Sequence, residues 1–452
     1  MFQFRQNSFV QIVIWFILAT LVGIVIGVVD AIFLKTLDAT LHWRSQFALY
    51  YLGLPIFLYI IYLLARRVAP RETAYSTDAV IDKINTHQPL GLISTLKSLV
   101  LSILTMAVGG SVGKEAPGAD AGAGVASCLA RLMHMNPENR RKLMICGVSA
   151  GFAGVFGVPI SGAIFGLEVL WVGHIFYEVM FPALIAGITA FQVTSYLGVN
   201  YLYHPMNFAP VLERQLFIKV VLAGLFFGLV SILFIELLKL AKVIFRYIAV
   251  KTSPFLRSFI GGSVLVVFGL LFSPLYLGLG LDGFNSVLAG QPLLHPLGFL
   301  IKSFTTTITL AAGGVGGIIT PLFFIGAQAG AMLSAVLETD SATMAALGLV
   351  AVLAGTANTP LAASIMAIEL FGAEVAPYAT VACVISFLLS GRHSIFVNQR
   401  ISFDKQHEIP LADPEQAHRM HPRKTFVLKT FRELYKHLLP TTKDSDKTDL
   451  PK

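Results

Sequence analysis

The chain alternates between long apolar stretches and short polar segments over most of its length. The first stretch runs from about Phe9 to Leu34 without a small-residue cleavage site, which indicates a membrane helix rather than a signal peptide. The later stretches have uneven lengths and contain Gly and Pro, whereas a spanning helix needs roughly 20 residues. This pattern predicts an all-α polytopic membrane protein with tilted and broken helices. The later stretches are about 48–64, 90–108, 142–172, 176–198, 216–248, 258–279, 297–312, 321–338, 343–372 and 376–390.

Composition narrows the class of protein. Of the 452 residues, 55% are hydrophobic and 13% are charged, whereas soluble domains carry about 25% charged residues. An ordinary soluble protein and a disordered one are both excluded. The net charge of +8 is typical of Lys and Arg flanking membrane spans, so we expect no nucleic-acid partner. The motif spacings of nucleophiles, metal ligands and phosphate loops are missing from the sequence, which predicts no enzyme activity, cofactor or metal.

Polarity changes after Gly391. We expect one transmembrane transport domain over residues 1–399, with a first half of about 1–200 and a second half of about 210–399. Residues 400–452 are predicted to be a polar cytoplasmic tail, because they are too few for a typical domain of about 100 residues or more. The absence of a eukaryotic targeting signal favours a multi-pass protein of the prokaryotic inner (plasma) membrane.

Two linked segments occur twice in the chain. Residues 109–122 match 313–326 at an offset of 204, and residues 147–168 match 348–369 at an offset of 201. Since the order and spacing of both segments are kept, we expect a transporter fold of two inverted-topology repeats. The matched residues are Gly109 with Gly313, Gly110 with Gly314, Gly113 with Gly317, Pro117 with Pro321, Gly122 with Gly326, Gly147 with Gly348, Ala150 with Ala351, Ala153 with Ala354, Gly154 with Gly355, Pro159 with Pro360, Ile164 with Ile365 and Glu168 with Glu369.

The repeat locates two helix starts inside the membrane. Glycines let the backbone turn before Pro117 and Pro321, and a proline fits the first helical position. Two helix N-termini meeting there would hold an anion through free N–H groups and partial positive charge. Glu115 stands before Pro117, while its repeat partner is the apolar Ile319. We therefore expect Glu115 to be a gate that occupies the anion site when ionised and leaves it when protonated. The predicted pore-lining positions are Gly113, Lys114, Ala116, Pro117, Gly317, Thr320 and Pro321.

Other charged residues near these starts have simpler interpretations. Lys114 is either solvated at a pore mouth or an ordinary interfacial lysine. The acids Glu168 and Glu369 occupy matched positions, which favours a structural role in satisfying backbone groups of a shared motif. For Asp120, one turn after Pro117, a helix-dipole or packing role is the simplest interpretation.

At these residues the sequence resembles the CLC family of chloride channels and chloride/proton antiporters. The family motif G-[KR]-E-G-P is similar to residues 113–117, with Ala in place of the second Gly, and G-x-F-x-P is similar to residues 317–321, with Ile replacing Phe. Segments 159–168 and 358–369 resemble the matched motifs of the two family halves, and 391–396 resembles the region of the pore tyrosine. Together the resemblance covers about residues 75 to 399.

The resemblance implies an all-helical homodimer with one anion pathway per subunit and Glu115 as external gate. Backbone anion contacts fall on Ile318 and Ile319. The pore serine falls on Ser76, in a poorly matched segment, and the pore tyrosine falls on Phe396, which has no hydroxyl.

The internal proton-transfer glutamate of family antiporters falls on Val169, which cannot carry a proton. The sequence thus favours membrane transport of a small inorganic anion, first of all chloride, by a channel-like mechanism. The alternatives are a chloride/proton or a fluoride/proton antiporter, because Glu115 alone offers one exchangeable proton. The expected partners are the anion, protons in the antiporter case, membrane lipid and a second copy of the chain.

Overall fold

The computed structural model describes residues 8–68, 77–201, 203–205, 214–291, 293 and 295–402. The described residues form 16 α-helices, three short 3-10 helices and one pair of parallel two-residue strands. The predicted tail therefore lies almost entirely outside the described residues, as does Ser76. The α-helices are Ser8–Ser45 (α1), Leu54–Val68 (α2), Thr77–Asn85 (α3), Leu92–Ala107 (α4), Glu115–Leu132 (α5), Pro137–Phe156 (α6), Pro159–Glu168 (α7), Tyr177–Tyr196 (α8), Arg214–Lys251 (α9), Pro254–Leu271 (α10), Leu281–Leu288 (α11), Gly298–Ala312 (α12), Ile319–Leu337 (α13), Ser341–Ala357 (α14), Pro360–Phe371 (α15) and Ala376–Leu389 (α16). The 3-10 helices are Tyr50–Gly53, Pro274–Tyr276 and Ala373–Val375, and the strands are Trp171–Val172 (β1) and Arg400–Ile401 (β2).

The helices have the unequal lengths that the apolar pattern predicts. Among the described residues, five helices are long and apolar enough to cross a membrane: α1, α8, α9, α10 and α13. Helix α9 has 38 residues, which at 1.5 Å per residue is about 57 Å and exceeds the roughly 30 Å hydrocarbon core. Helix α13 is instead enclosed by protein, since 83% of its most apolar window is buried. The fold is thus an all-α polytopic membrane fold with a protein-enclosed central helix.

Two of the long apolar runs are broken into helix pairs. Helix α6 ends at Gly157 with φ 74°, and helix α14 ends at Asn358 with φ 59°. Both angles are left-handed, a conformation that glycine and asparagine tolerate better than other residues. The next helices, α7 and α15, then begin directly at Pro159 and Pro360. The broken helices predicted from the sequence are confirmed in both halves.

The repeated glycines create a close helix crossing in each half. A Cβ atom on Gly122 would lie 2.1 Å from the carbonyl oxygen of Gly147, where α5 crosses α6. A Cβ on Gly326 would lie 2.2 Å from the carbonyl oxygen of Gly348, where α13 crosses α14. Since neither crossing has space for a methyl group, the backbones meet as in small-residue contacts of membrane helices. This contact explains why these four glycines recur at fixed offsets.

The outer faces of several helices are apolar and exposed. Ile32 of α1 is 63% exposed, Leu271 at the end of α10 is 72% exposed, and Leu229 of α9 is 58% exposed. Such a surface is unusual for a soluble monomer and is expected for helices that contact lipid. The polar and titratable residues considered below lie mainly inside this apolar shell.

The two helix starts at the centre differ slightly from the prediction. Helix α5 begins at Glu115 and helix α13 at Ile319, so Pro117 and Pro321 are the third residue of each helix rather than the first. The prediction that the prolines open the helices is wrong by two residues. The first four N–H groups of a helix have no intrahelical partner, so proline is tolerated anywhere in that turn. Glu115 consequently belongs to the first helical turn and not to the preceding loop.

Candidate anion-binding site

The connections before α5 and α13 meet in an antiparallel pair. The amide of Gly113 donates to the carbonyl oxygen of Gly317 at 2.7 Å, and the amide of Gly317 donates to the carbonyl oxygen of Gly113 at 2.8 Å. The two residues are repeat partners, so the pairing places the starts of both helices beside each other with opposite chain directions. The structure therefore brings together the two helix starts that the repeat predicts.

Threonine hydroxyls fix the crossing from both sides. The amide of Ser111 donates to Thr309 Oγ1 at 3.1 Å, and the amide of Val315 donates to Thr105 Oγ1 at 3.1 Å. Thr105 and Thr309 are also 204 residues apart, so each half supplies the hydroxyl that satisfies the other half's backbone. This pair lies outside the matched segments 109–122 and 313–326, although the 204-residue offset extends upstream to it. The exchange holds the two connections in a single register.

The carboxylate of Glu115 lies on the start of α13. The amide of Ile319 donates to Oε1 at 2.5 Å, and the hydroxyl of Thr320 donates to Oε2 at 2.6 Å. Glu115 is fully buried, so water does not compete for these donors. A helix N-terminus offers free N–H groups and partial positive charge, and the carboxylate oxygens lie where these groups would bind an anion. The structure therefore places the predicted gate, Glu115, on donors that an anion would use. The Ile319 amide and the Thr320 hydroxyl are called the seat below.

The two paired glycines make space for this carboxylate. A Cβ atom on Gly113 would lie 2.3 Å from both Glu115 carboxylate oxygens, and one on Gly317 would lie 2.2 Å from Oε1. Any side chain at either position would displace the carboxylate from its donors. Gly113 and Gly317 thus leave space for the Glu115 carboxylate, in addition to allowing the backbone to turn.

A cavity of about 450 Å³ reaches the seat. Thr320, whose hydroxyl binds Glu115, forms part of its wall, and so do Lys114 and Phe323. Lys114 is half-buried, and its ammonium interacts with the charges of Glu115 and Asp38. Of the two interpretations of Lys114, the position at a pore mouth fits this cavity better. Further polar and charged wall residues are Lys35, Asp38, Asn200, Tyr201, His204 and Asn285.

The remaining predicted pore residues lie in less polar surroundings. Phe396 is buried in the core cluster that also contains Ile319, and its amide donates to Ser394 Oγ at 3.0 Å. Ile318 is the residue that caps α13. The anion contacts of Ile318 and Phe396 stay predictions. Phe396 offers neither a hydroxyl nor a free amide.

The predicted position of the lost proton site is apolar and enclosed. Val169 is fully buried, and its carbonyl accepts a hydrogen bond from Gln399 Nε2 at 2.9 Å. Gln399 also donates to the carbonyl of Ala357 at 3.0 Å and accepts from Asn358 Nδ2 at 3.0 Å. Neutral amides therefore surround this position. Gln399 was not predicted as a site residue, because no motif singles out a polar residue of this final segment.

The two matched acids, Glu168 and Glu369, each bind backbone amides of the opposite repeat. Glu168, at the end of α7, accepts hydrogen bonds from the amides of Leu361 at 3.1 Å and Ala362 at 2.8 Å, at the start of α15. Glu369 of α15 accepts from Ile160 at 2.8 Å and Ser161 at 2.9 Å, at the start of α7. Each carboxylate caps the helix of the opposite repeat. The structural role predicted for both acids is confirmed.

Two further acids are buried in the same region. Asp30 of α1 is fully buried, and both carboxylate oxygens lack a hydrogen-bond partner among the described residues. Hypothetical Cβ atoms on Gly118 and Gly154 would lie 3.3 and 2.5 Å from its oxygens, so these glycines accommodate it. Asp120 is also buried and hydrogen-bonds Thr77. Asp30 was not predicted as a site residue, although an acid inside the first apolar stretch is a signal in the sequence.

The described residues contain no group of three or more His, Cys, Asp or Glu side chains that could hold a metal ion. The site described above consists of the Ile319 amide, the Thr320 hydroxyl and the Glu115 carboxylate. A family model described as "Voltage gated chloride channel" matches residues 57–391. The chain belongs to this family. The resemblance read from the two glycine-proline motifs is confirmed, and this CLC chain is an anion transporter with a multi-pass membrane fold.

Relatives with known names or structures cover nearly the whole chain. A chloride/fluoride channel protein of Pseudomonas syringae pv. tomato is 35% identical over 420 residues, which are 89% of this chain and 91% of the relative. The crystal structure of a CLC-type fluoride/proton antiporter matches with a TM-score of 0.81 and 28% identity, over 88% of this chain and all of that chain. A slow cyanobacterial Cl⁻/H⁺ antiporter matches with a TM-score of 0.73 over 83% of this chain and 94% of that chain. Its 21% identity supports the shared fold alone.

Proposed function

We propose that this chain exchanges a small inorganic anion for protons across the membrane, with fluoride preferred over chloride. The observation that carries the proposal is the seat of Glu115, whose carboxylate takes one backbone amide and one hydroxyl at the start of α13. These donors suit any compact anion that accepts strong hydrogen bonds. Because the carboxylate and a transported anion need the same donors, occupancy by one excludes the other.

Protonation of Glu115 couples the two ions in this proposal. The neutral acid has no net charge to interact with the helix N-terminus, so it binds the seat less well than the carboxylate does. It then leaves the amide of Ile319 and the hydroxyl of Thr320 to the incoming anion. When the proton is released, the carboxylate returns and expels the anion. One anion and one proton therefore use the same carboxylate position in alternation.

The preference for fluoride rests on the donors available around the seat. Fluoride is the smallest halide and the strongest hydrogen-bond acceptor among the halides, so it matches donors spaced for carboxylate oxygens. Phe396 provides no hydroxyl where the family pore tyrosine would stand, which leaves a larger and more weakly bonded anion with fewer contacts. The names of the 35% identical relative and of the antiporter with a TM-score of 0.81 both include fluoride.

A passive chloride channel is the second candidate, and Val169 favours it. This side chain is apolar and fully buried where family antiporters have an internal proton acceptor. A chain without that acceptor needs another internal route for protons to act as an exchanger. In a channel, Glu115 would open and close the pathway without moving protons in proportion to anions.

Flux measurements on reconstituted vesicles distinguish these candidates. Purified protein in liposomes is given an inward gradient of fluoride, chloride or nitrate, and anion and proton movement are recorded together. We expect faster fluoride than chloride transport, with protons moving at a fixed ratio to the anion. Sustained anion flux without proportional proton movement would support the channel and overturn the exchanger.

We also propose that the chain works as a homodimer in a prokaryotic inner membrane, with one pathway in each subunit. Support comes from the family to which the chain belongs and from the apolar outer faces of its helices. The mass of the detergent-solubilised protein, measured by light scattering with correction for bound detergent, tests the subunit number. A monomeric mass at membrane-like protein concentrations would contradict the proposal.

A further inference from the structure

A second cavity lies where α2, α9, α10 and α12 come together. It has a volume of about 390 Å³ and its wall includes the cationic residues Lys242, Arg246 and Arg257. The other wall residues are Tyr62, Ala249, Val250, Pro254, Leu310 and Ala311. Among the described residues, the wall thus contains three cations and no acid, which is the charge pattern of a site for an anionic group.

Arg257 is held in place with unused donors. Its guanidinium lies over the ring of Tyr62, with 4.2 Å between Cζ and the ring centroid. Its Nε and Nη2 atoms are buried and have no hydrogen-bond partner among the described residues. Buried N–H donors of a charged group are normally satisfied, so their lack of partners indicates a missing acceptor. A guanidinium matches the oxygens of a phosphate in geometry as well as in charge.

Two neighbouring charges modify this positive potential, one of each sign. Arg66 lies close enough for its charge to act on Arg257, and its Nη1 donates to the hydroxyl of Tyr62 at 3.3 Å. The carboxylate of Asp78 interacts with Lys242 from outside the cavity wall. Asp78 therefore offsets part of the charge of Lys242, whereas Arg66 adds to the positive charge around Arg257.

The position of the cavity favours a lipid as the source of this anion. Arg66 at the end of α2 and Lys251 at the end of α9 mark this side as cytoplasmic by the positive-inside rule. Exposed apolar side chains border the cavity, with Val250 exposed by 73% and Phe255 by 44%. Acyl chains can pack on these side chains while a headgroup phosphate enters the cationic cavity. Basic pockets between membrane helices on this side bind anionic headgroups in other proteins.

We propose that the cavity between α2, α9, α10 and α12 binds the headgroup phosphate of an anionic membrane lipid. Arg257 contributes the unpartnered guanidinium donors, while Lys242 and Arg246 contribute exposed charges at the entrance. The site is separate from the Glu115 seat, which lies at the paired helix starts. The proposal therefore does not depend on which anion the protein transports.

The test counts lipids retained by the intact detergent-solubilised protein in native mass spectrometry. The protein is titrated with phosphatidylglycerol, and phosphatidylcholine serves as the neutral comparison. The double variant Lys242→Gln with Arg246→Gln removes two exposed cations, so the fold should be retained. Lys251→Gln is the matched control, because Lys251 lies at the same end of α9 but does not line the cavity. The variants are first compared in thermal unfolding.

We expect the double variant to bind phosphatidylglycerol at least about tenfold more weakly than the wild type does. This change corresponds to a loss of about 1.4 kcal/mol of binding free energy. The control and the neutral lipid should show no such difference. Equal phosphatidylglycerol retention by the double variant and the control would overturn the site. A second arm adds millimolar inorganic phosphate. Displacement of the lipid by free phosphate at this concentration would overturn the lipid as the occupant.

Discussion

Replacing Thr320 by Val tests the seat of Glu115 at a single hydroxyl. Valine keeps the shape of threonine and lacks the hydroxyl that donates to Glu115 Oε2 at 2.6 Å. Thr320 is 1% exposed, so water does not restore the lost donor. The carboxylate keeps the amide of Ile319, and the rest of the crossing is untouched.

The size of the effect follows from this hydrogen bond. A hydrogen bond to a charged group contributes about 1.5–3 kcal/mol. The bond favours the ionised carboxylate, so its loss makes protonation of Glu115 easier. A change of one pH unit in a protonation midpoint corresponds to about 1.36 kcal/mol. We therefore expect the pH of half-maximal transport to rise by about 1 to 2 units in Thr320→Val.

The assay measures anion flux from liposomes over a range of pH on both sides of the membrane. The midpoint of the profile is the relevant quantity, because Thr320 also contributes a donor to the transported anion and its loss lowers the maximal rate. Thr307→Val is the matched control. Thr307 is 2% exposed, and its hydroxyl donates to carbonyls of its own helix rather than to Glu115.

The outcome separates the seat from a general packing effect. If the Thr320→Val midpoint lies with that of the wild type and of Thr307→Val, the hydroxyl does not hold the gating carboxylate. The same shift in both variants would indicate that altered packing, and not the lost donor, changes the profile. Only a rise of the pH midpoint that is confined to Thr320→Val agrees with a hydrogen bond from Thr320 to Glu115.

Three further changes test other parts of the structure. Glu168→Gln should lower the free energy of unfolding by about 2 kcal/mol, because the capping charge is lost, while the transport midpoint stays unchanged. Gly326→Ala should cost about 1–3 kcal/mol, measured by thermal unfolding, because its methyl group would meet the carbonyl of Gly348. Burial and the charge of Arg141 lower the pKa of His87, whose protonation therefore opposes folding as the pH falls below about 6.5. His87→Asn, which suits the left-handed φ of 57°, should reduce this acid loss of stability and leave the transport midpoint unchanged.

The parts of the fold that could be predicted depend on short-range backbone chemistry. Gly122 and Gly326 were visible as repeated glycines, and the structure gives them a helix crossing that tolerates no side chain. Glu115 was visible because an acid stands where its repeat partner, Ile319, is apolar. These signals are visible in the sequence itself, because broken backbone and carboxylates are costly inside a membrane and therefore mark structural or functional sites.

Other features depend on contacts between distant residues. The exchange of hydroxyls between Thr105 and Thr309 follows from the crossing of two connections that are 204 residues apart. The reciprocal caps of Glu168 and Glu369 required the opposite packing of α7 and α15, whereas the sequence indicated only that both acids are structural. That the carboxylate of Asp30 has no hydrogen-bond partner among the described residues is visible only after the surrounding helices have been placed. Position within a repeat predicts a role, but it does not identify the partner.

The central claim is that Glu115 carries the proton that is exchanged for the anion. The variant Glu115→Gln keeps the shape of the side chain and mimics the protonated acid. Anion and proton flux are recorded together in liposomes at several pH values. We predict anion flux that no longer depends on pH and no coupled proton movement. Wild-type pH dependence, or proton movement still proportional to anion flux, in Glu115→Gln would contradict the claim.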